Sequence, residues 1–319
     1  MVTVGVCAYN EGNNIAKILN IILNQQELSA ESEVLVVCSG CTDKTVQIAK
    51  EKAETDSRVK VIIQKERLGK AAAVNEILKN ATSPKILFVS ADTLPNNGCF
   101  SKLARRFDDP KVGLVCGKPI PVNVSNSAVG RLVRSLWIFH DHVFHELNDA
   151  GLARHATEVF IVRKGIVTNI PMETVNDDAY IAVNTRALGW LIKYEPHAEV
   201  LISGPESLSD YLNQRRRIIF GHYQIRKLTG KSSQYLIHLA PRYPKKALQL
   251  AVWLCMQCGI PTFLLFTEIE LLLNGAALVD FMLGKSYAQW NVATSTKMID
   301  QEKFVNLPEK ENPKIKDIL

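Results

Sequence analysis

Short apolar runs rich in β-branched residues alternate with amphipathic segments through the first third of the chain. The runs predict β-strands and lie at residues 2–9, 34–38, 59–63, 85–90 and 112–116. Between them, apolar side chains recur at helical spacing, which predicts helices at residues 13–26, 43–55 and 70–80. This alternation is typical of an α/β fold with a doubly wound, mostly parallel sheet flanked by helices.

The pattern changes after about residue 123, where longer helical segments replace the regular alternation. It predicts, in order, a long helix at 127–148, a strand at 157–162, a helix at 177–188, two strands at 190–194 and 198–202, and a basic helix at 207–228.

A C-terminal apolar helical appendage is predicted at residues 241–290, followed by a polar tail at 291–319. Residues 247–267 contain no charge and are long enough to cross a bilayer, and Arg242, Lys245 and Lys246 precede them. Polar or helix-breaking residues interrupt the run, and acidic residues follow it: Gln249, Gln257, Gly259, Pro261, Glu268, Glu270 and Asp280. We therefore favour helices lying in the membrane interface over a true span, and a helix packed on a soluble domain stays a third interpretation.

Composition indicates a folded, water-soluble body. Of 319 residues, 47% are hydrophobic and 22% are charged, which indicates neither a disordered chain nor a polytopic membrane protein. The net charge of +6 suits anionic ligands such as nucleotides, and it gives no reason to expect nucleic acid as a partner. Seven scattered cysteines and the lack of a basic leader before the first apolar run favour a reducing, cytosolic setting.

Two cysteine pairs and a group of histidines could be interpreted as metal sites. Cys38/Cys41 and Cys255/Cys258 have the spacing of zinc half-sites, and the first pair also has the placement of a thioredoxin-like motif. His142 and His145, with His140 nearby, share the long helix. We favour ordinary packing for all of them, because the cysteine pairs are far apart and the histidines fit an amphipathic helix.

Polar residues follow the predicted strands at the positions where doubly wound sheets bind ligands. The segments 8–12, 42–45, 69–75, 90–95, 176–180 and 214–218 read AYNEG, TDKT, GKAAAVN, SADTLP, NDDAY and QRRRI. In this order and spacing they resemble the motifs of family 2 glycosyltransferases of the GT-A fold, of the membrane-associated type.

The resemblance implies an inverting transfer of a sugar from a nucleotide-sugar donor to a lipid-linked or membrane-embedded acceptor. The enzyme would depend on Mg²⁺ or Mn²⁺ and work on the membrane surface at the cytosolic face. Residues 1–122 would form the nucleotide-sugar-binding half, and residues 123–240 the acceptor-side half of the same catalytic domain.

The donor side falls, by resemblance, on the loops after the first four strands. Glu11 would contact the ribose, Ser39 and Asp43 would lie near the base, and Ala8, Asn10 and Ala91 would complete the donor-binding loops. Lys70, at a helix start, would face the phosphates. Asp92 would hold the cation that neutralises the diphosphate, although Ser90 stands where the family has another aspartate. Plain alternatives are capping or turn roles for Asp43 and Asp92 and a solvated side chain for Lys70.

The acceptor side falls on the second half. Asp178 would act as general base for the attacking hydroxyl, with Asp177 orienting it. Gln214 and Arg217 match the glutamine and arginine of the family's motif and would be catalytic, with Arg217 stabilising the departing diphosphate, although Ile218 replaces the family's aromatic residue. Glu158 would line the acceptor site. The plain alternatives are an acidic pair that favours the helix dipole and a solvated basic helix face.

Two other functions stay open from the sequence. A sugar-phosphate nucleotidyltransferase also combines an α/β sheet with acidic metal ligands, but Tyr9, Asn10 and Glu11 occupy the place of its glycine-rich, arginine-containing loop. A catalytically silent membrane-surface binding protein with the same fold is suggested by Ser39 and Ser90, which stand where acids are expected.

Overall fold

The computed structural model describes residues 1–25, 31–123, 127–233 and 243–289. The strands are β1 (Thr3–Ala8), β2 (Glu33–Ser39), β3 (Val59–Gln64), β4 (Lys85–Ser90), β5 (Thr93–Pro95), β6 (Val112–Pro121), β7 (Val159–Arg163) and β8 (Leu191–Ile202). The helices are α1 (Ile15–Leu23), α2 (Thr45–Thr55), α3 (Lys70–Asn80), α4 (Cys99–Arg105), α5 (Ala128–Asp149), α6 (Asp177–Ala187), α7 (Leu208–Thr229), α8 (Pro244–Cys258) and α9 (Ile260–Met282), with a short 3₁₀ turn at Arg106–Asp108. The predicted tail at 291–319 lies outside the described residues.

The strands form one mixed sheet in the order β3-β2-β1-β4-β7-β6-β8-β5. Strands β3, β2, β1 and β4 are parallel, as the alternating pattern predicts. Beyond them β7 runs antiparallel to both β4 and β6, whereas β6 and β8 are parallel. The doubly wound, mostly parallel α/β fold flanked by helices is confirmed.

The two strands predicted at 190–194 and 198–202 are one long strand, β8. Its register against β6 jumps, so that Cys116 faces Tyr194 while Lys118 faces Glu199. The extra residues form a bulge beside Gly117, where a Cβ atom would lie 2.3 Å from the carbonyl oxygen of Ala198. The sequence prediction separated the two halves because the bulge interrupts the apolar pattern.

Alternate residues of the central strands pack into core layers on opposite faces of the sheet. In β2, Val34 and Val36 join the layer under α1, α2 and α4, while Leu35 and Val37 join the layer under α3 and α6. Strands buried on both faces carry continuous apolar runs, which explains why the sequence predicts these strands well. The sheet thereby holds the strand-end loops on a rigid base.

A third apolar layer joins α8 and α9 to α5 and α7. Phe266 and Leu273 of α9 pack in one cluster with Leu132 of α5, Phe220 of α7 and Leu254 of α8. One face of the apolar appendage therefore packs on α5 and α7, as the third interpretation of the sequence allowed.

The uncharged run 247–267 is not a single helix. It breaks at Gly259, which has a φ of 79°, and Pro261 lies in the first turn of α9. Proline suits a first turn and glycine suits a positive φ, so this pair separates α8 from α9. Within the described ranges, α9 is the one helix long and apolar enough to cross a membrane.

Candidate active site

The loops after β1 and β2 are tied together by hydrogen bonds. The Thr42 amide donates to Asn10 Oδ1 (2.8 Å), and the Gly12 amide donates to Asp43 Oδ2 (2.9 Å). The Glu11 amide donates to Thr45 Oγ1 (2.7 Å). Asn10 adopts a φ of 53°, a conformation that asparagine tolerates better than most residues. Neither Asn10 nor Asp43 borders the cavities described below, so the structure places both in the loop framework.

An outer cavity of about 720 Å³ opens over the ends of β1, β2 and β4. The residues bordering it that the sequence assigns to the donor are Ala8, Glu11, Ser39, Lys70, Ala91 and Asp92. At one end the Arg67 guanidinium lies 4.0 Å above the centre of the Tyr9 ring. This end offers a flat cationic and aromatic surface, which suits a planar ligand group.

The segment after α9 returns to this outer cavity. Ser286, Tyr287, Ala288 and Gln289 border it, and Gln289 donates a hydrogen bond to the Arg67 carbonyl. Sequence analysis missed this contact because more than two hundred positions separate its partners and no local pattern announces it.

An inner cavity of about 250 Å³ lies between α5, α7 and the sheet. Aromatic and histidine side chains border it: Trp137, His140, His155, Tyr211 and His222. Burial lowers the pKa of His140 and of His155 to about 3, so both rings are neutral at pH 7. The sequence drew attention to the histidines of α5 but not to this cavity.

The two cavities meet at a junction bordered by Cys7, Lys70, Ser90, Asp92, Glu158, Gln214 and Arg217. Asp177 and Asp178 border its inner side. These residues come from the starts of α3 and α6, the ends of β1 and β4, the residue before β7, and α7. The structure thus brings together site residues from both halves of the sequence.

Lys70 is the central cation of the junction. Its Nζ lies 3.1 Å from Asp177 Oδ1, and the Asp177 side chain is 6% exposed. Burial alone would lower the pKa of Lys70, but the charges of Asp177 and Asp178 outweigh it and hold this pKa above its ordinary range. Lys70 is therefore a fixed positive charge beside the acidic pair.

Two carboxyl groups of the junction, those of Asp178 and Glu158, have raised pKa values. Burial, reinforced by Asp177, raises the pKa of Asp178 to about 6. Burial, reinforced by the charge of Asp178, raises the pKa of Glu158 to about 7. Burial also lowers the pKa of Arg217 to about 10, against the opposing pull of the nearby acids. A carboxyl with a pKa near 6 is mostly ionised at pH 7 and still basic enough to accept a proton.

The junction fits a divalent cation only in part. Among the described residues there is no group of three histidine, cysteine or acidic side chains that could hold a metal ion. Asp92 could supply one hard carboxylate ligand beside the Ser90 position, and its charge is among those that raise the pKa of Glu158. A cation here would relieve that crowding, with its other ligands taken from a bound anion.

The first cysteine pair and the histidines of α5 make ordinary packing contacts. Cys38 and Cys41 hydrogen-bond to each other, and Cys41 also donates to the Ala8 carbonyl. His142 stacks on Trp253 with ring centres 3.8 Å apart, and His145 lies 3.6 Å from Asp141.

Family models match both halves of the chain. A model described as glycosyl transferase family 2 covers residues 3–165, and one described as glycosyl transferase family group 2 covers residues 85–283. The chain belongs to glycosyl transferase family 2.

Relatives of this family 2 chain include two described as poly-beta-1,6-N-acetyl-D-glucosamine synthase. The one from Staphylococcus aureus (strain MSSA476) is 25% identical over 241 residues, which are 70% of this chain and 55% of the relative. The one from Staphylococcus epidermidis is 24% identical over 236 residues, 69% of this chain and 54% of the relative. The chain thus spans about half the length of these relatives.

The fold matches a solved glycosyltransferase. The mannosyltransferase PcManGT from Pyrobaculum calidifontis, solved in complex with GDP-Man and Mn²⁺, superposes with a TM-score of 0.68. It is 21% identical, and the match covers 89% of this chain and 87% of that one. The likeness establishes the GT-A fold for this family 2 chain.

Proposed function

We propose that this family 2 chain transfers a sugar from a nucleotide-sugar donor to an acceptor hydroxyl at the junction of the two cavities. The convergence of Lys70 and Asp92 from the first half with Asp178 and Arg217 from the second carries the proposal. Such an arrangement supplies charge for a leaving diphosphate and a base for an attacking hydroxyl in one place.

The donor would occupy the outer cavity. Its base would lie toward Tyr9, Ser39 and Arg67, and its diphosphate toward Lys70 and Asp92. Mg²⁺ or Mn²⁺ held by Asp92 would neutralise the diphosphate when bound. Arg217 and Gln214 would donate hydrogen bonds to the phosphate oxygens as negative charge grows on the leaving nucleotide.

The acceptor would enter from the inner cavity, past Glu158. Asp178 would take the proton of the acceptor hydroxyl while the hydroxyl oxygen forms its bond to the anomeric carbon. The bond between that carbon and the diphosphate oxygen breaks in the same displacement, which inverts the anomeric configuration. The pKa of Asp178, raised to about 6 by burial and by Asp177, suits a base at neutral pH.

Attachment to the cytosolic face of a membrane completes the proposal. The outer face of α9 presents large apolar side chains to solvent, including Leu264, Leu271 and Leu272. Lys245 and Lys246 stand at the start of α8, where they could contact anionic head groups. An acceptor that is lipid-linked or embedded in the membrane would be presented near this face. The free thiol state of all seven cysteines is consistent with a cytosolic setting.

Binding of the donor tests the first part of the proposal. UDP-N-acetylglucosamine and GDP-mannose are each titrated by thermal shift with Mg²⁺, with Mn²⁺ and with neither. One donor is expected to raise the Tm only when a cation is present, because ligands that bind the folded state stabilise it by mass action.

Asp92→Asn should lose most of that shift, whereas Asp108→Asn, an exposed residue away from both cavities, should keep it. Equal cation-dependent shifts for wild type and Asp92→Asn would remove Asp92 from the metal site. No shift with either donor would argue instead for a silent binding protein.

A further inference from the structure

Helix α7 carries three consecutive arginines, Arg215, Arg216 and Arg217. Successive residues of an α-helix point about 100° apart, so the three side chains must leave the helix in different directions. Arg217 and Gln214, three positions apart, both reach the junction. The positions of the Arg215 and Arg216 side chains therefore need a separate explanation.

Both of the other arginines are bound by carboxylates of α9. Arg215 donates two hydrogen bonds to Glu270, of 2.8 and 2.6 Å. Arg216 donates two to Asp280, of 2.5 and 2.7 Å. Paired guanidinium and carboxylate groups of this geometry fix direction as well as charge.

The Asp280 site is the more elaborate of the two. Asp280 is fully buried. Its carboxylate also accepts a hydrogen bond from the Tyr287 hydroxyl (2.6 Å) and forms an ion pair with Lys285 (2.6 Å). A buried acid such as Asp280, or a partly buried one such as Glu270, is costly in a leucine-rich helix unless a cation pairs with it. Within the described part of the chain, these acids border neither cavity.

The arginines that they hold do border the cavities. Arg215 lies beside the inner cavity and Arg216 beside the outer one. Acids of the junction border these same cavities: Asp178 and Glu158 border the inner one with Arg215, and Glu158 borders the outer one with Arg216. A second arginine on Asp178 would stabilise the carboxylate and so weaken it as a base.

We infer that Glu270 and Asp280 are positioning residues, which hold Arg215 and Arg216 toward α9 so that Arg217 alone of the three serves the acidic junction. The inference rests on the proposed function, because its effect is on turnover. It assigns a catalytic consequence to two acids on the helix whose outer face carries the exposed leucines.

The test compares the two ways of breaking one pair. Glu270→Gln releases Arg215, and we expect nucleotide release to slow by about tenfold or more, the scale of a misplaced charge at a reacting centre. Arg215→Met breaks the same pair without releasing a cation, and we expect a loss of less than about threefold. A purely structural pair would give similar losses from either side.

A double variant, Arg215→Met with Glu270→Met, provides the rescue. Replacing an ion pair of low exposure by apolar side chains is often neutral for stability, whereas removing one partner leaves the other charge without its counterion. We expect the double variant to release nucleotide within about threefold of wild type. Lys60→Gln, which breaks the pair between a half-exposed lysine of β3 and Glu33 of β2, is the matched control and should not slow release.

Release is measured in full-length protein with UDP-N-acetylglucosamine or GDP-mannose and Mn²⁺, and folding of each variant is checked by thermal unfolding. A Glu270→Gln variant as fast as wild type, or a double variant as slow as Glu270→Gln, would overturn the inference. If Glu270→Gln does not fold, the double variant is compared with wild type instead, and a loss of more than about threefold in nucleotide release overturns the inference. A wild-type protein that releases nucleotide from neither donor would instead contradict the proposed function.

Discussion

Individual carboxylates decide how the junction responds to pH. Burial and Asp177 raise the pKa of Asp178 to about 6 from an ordinary value of 3.8. The folded state therefore binds a proton at this site more tightly than the unfolded chain does. The contribution of Asp178 to stability must fall as the pH rises from about 4 through about 6. The same residue that suits proton transfer is thus a cost to folding at neutral pH.

Removing this charge should stabilise the protein selectively at high pH. We expect Asp178→Asn to raise the free energy of unfolding at pH 8 by roughly 1–3 kcal/mol, and to change it much less at pH 4, where the carboxyl of the folded wild type is largely protonated and carries little charge. Urea unfolding at the two pH values measures the difference. Asp108→Asn, at an exposed site, should show no such pH dependence. A stability gain at pH 4 as large as that at pH 8 would contradict the raised pKa.

Helix α7 packs closely against the start of α6 at one point, through the side chain of Asn176. Gly221 of α7 lies so close to α6 that a Cβ atom there would be 2.6 Å from the side chain of Asn176. Asn176 donates a hydrogen bond to the Ile218 carbonyl (2.9 Å) and immediately precedes Asp177 and Asp178. The packing of α7 on α6 therefore sets where the acidic pair begins.

Two helical glycines should respond in opposite ways to alanine. Gly221→Ala must displace Asn176, so we expect a loss of about 1–3 kcal/mol in stability together with slower nucleotide release. Gly275→Ala, in α9 with open space around it, should gain about 0.5–1 kcal/mol and leave release unchanged. Chemical denaturation and the release assay measure both. A Gly221→Ala variant with wild-type stability and release would show that this close contact does not position the acidic pair.

Elements with strong local patterns could be predicted from the sequence. The strand at 85–90 and the helix at 70–80 have the predicted bounds. The continuous strand β8 could not be predicted from the sequence, because its bulge depends on Gly117 of another strand. The sequence also grouped most of the candidate site residues that meet at the junction, since strand ends of a parallel sheet share one edge. Their roles stay predictions. The pairs of Arg215 and Arg216 with α9 carry no local signal, because the paired residues lie more than fifty positions apart in the sequence.

At the scale of the whole molecule, the apolar layer of α8 and α9 has one side in the protein and one in solvent. The buried side of α9 packs on α7 and carries the two arginine pairs, so deleting the helix would disturb the site as well as any membrane contact. Surface substitutions are therefore the cleaner test of membrane attachment.

Charges placed on the outer face of α9 should release the protein from lipid. Leu271 and Leu272 are 67% and 66% exposed, and we expect Leu271→Glu with Leu272→Glu to abolish flotation with vesicles of phosphatidylcholine and phosphatidylglycerol. Leu188→Glu, at a leucine 61% exposed after α6, is the matched control and should float like wild type. Wild-type protein that stays at the bottom of the gradient, or a double variant that floats, would contradict the proposed membrane face.

The central claim is that the junction transfers a sugar with Asp178 as base, and single-turnover transfer measures it most directly. The assay uses saturating donor, Mn²⁺ and an N-acetylglucosamine oligosaccharide as hydroxyl acceptor, so that it reports chemistry apart from binding. We predict that Asp178→Asn binds donor as wild type does but transfers about a hundredfold more slowly or worse. An Asp178→Asn protein that transfers at the wild-type rate would contradict the assignment of the base, and a wild-type protein that transfers no sugar from any nucleotide sugar would contradict the account as a whole.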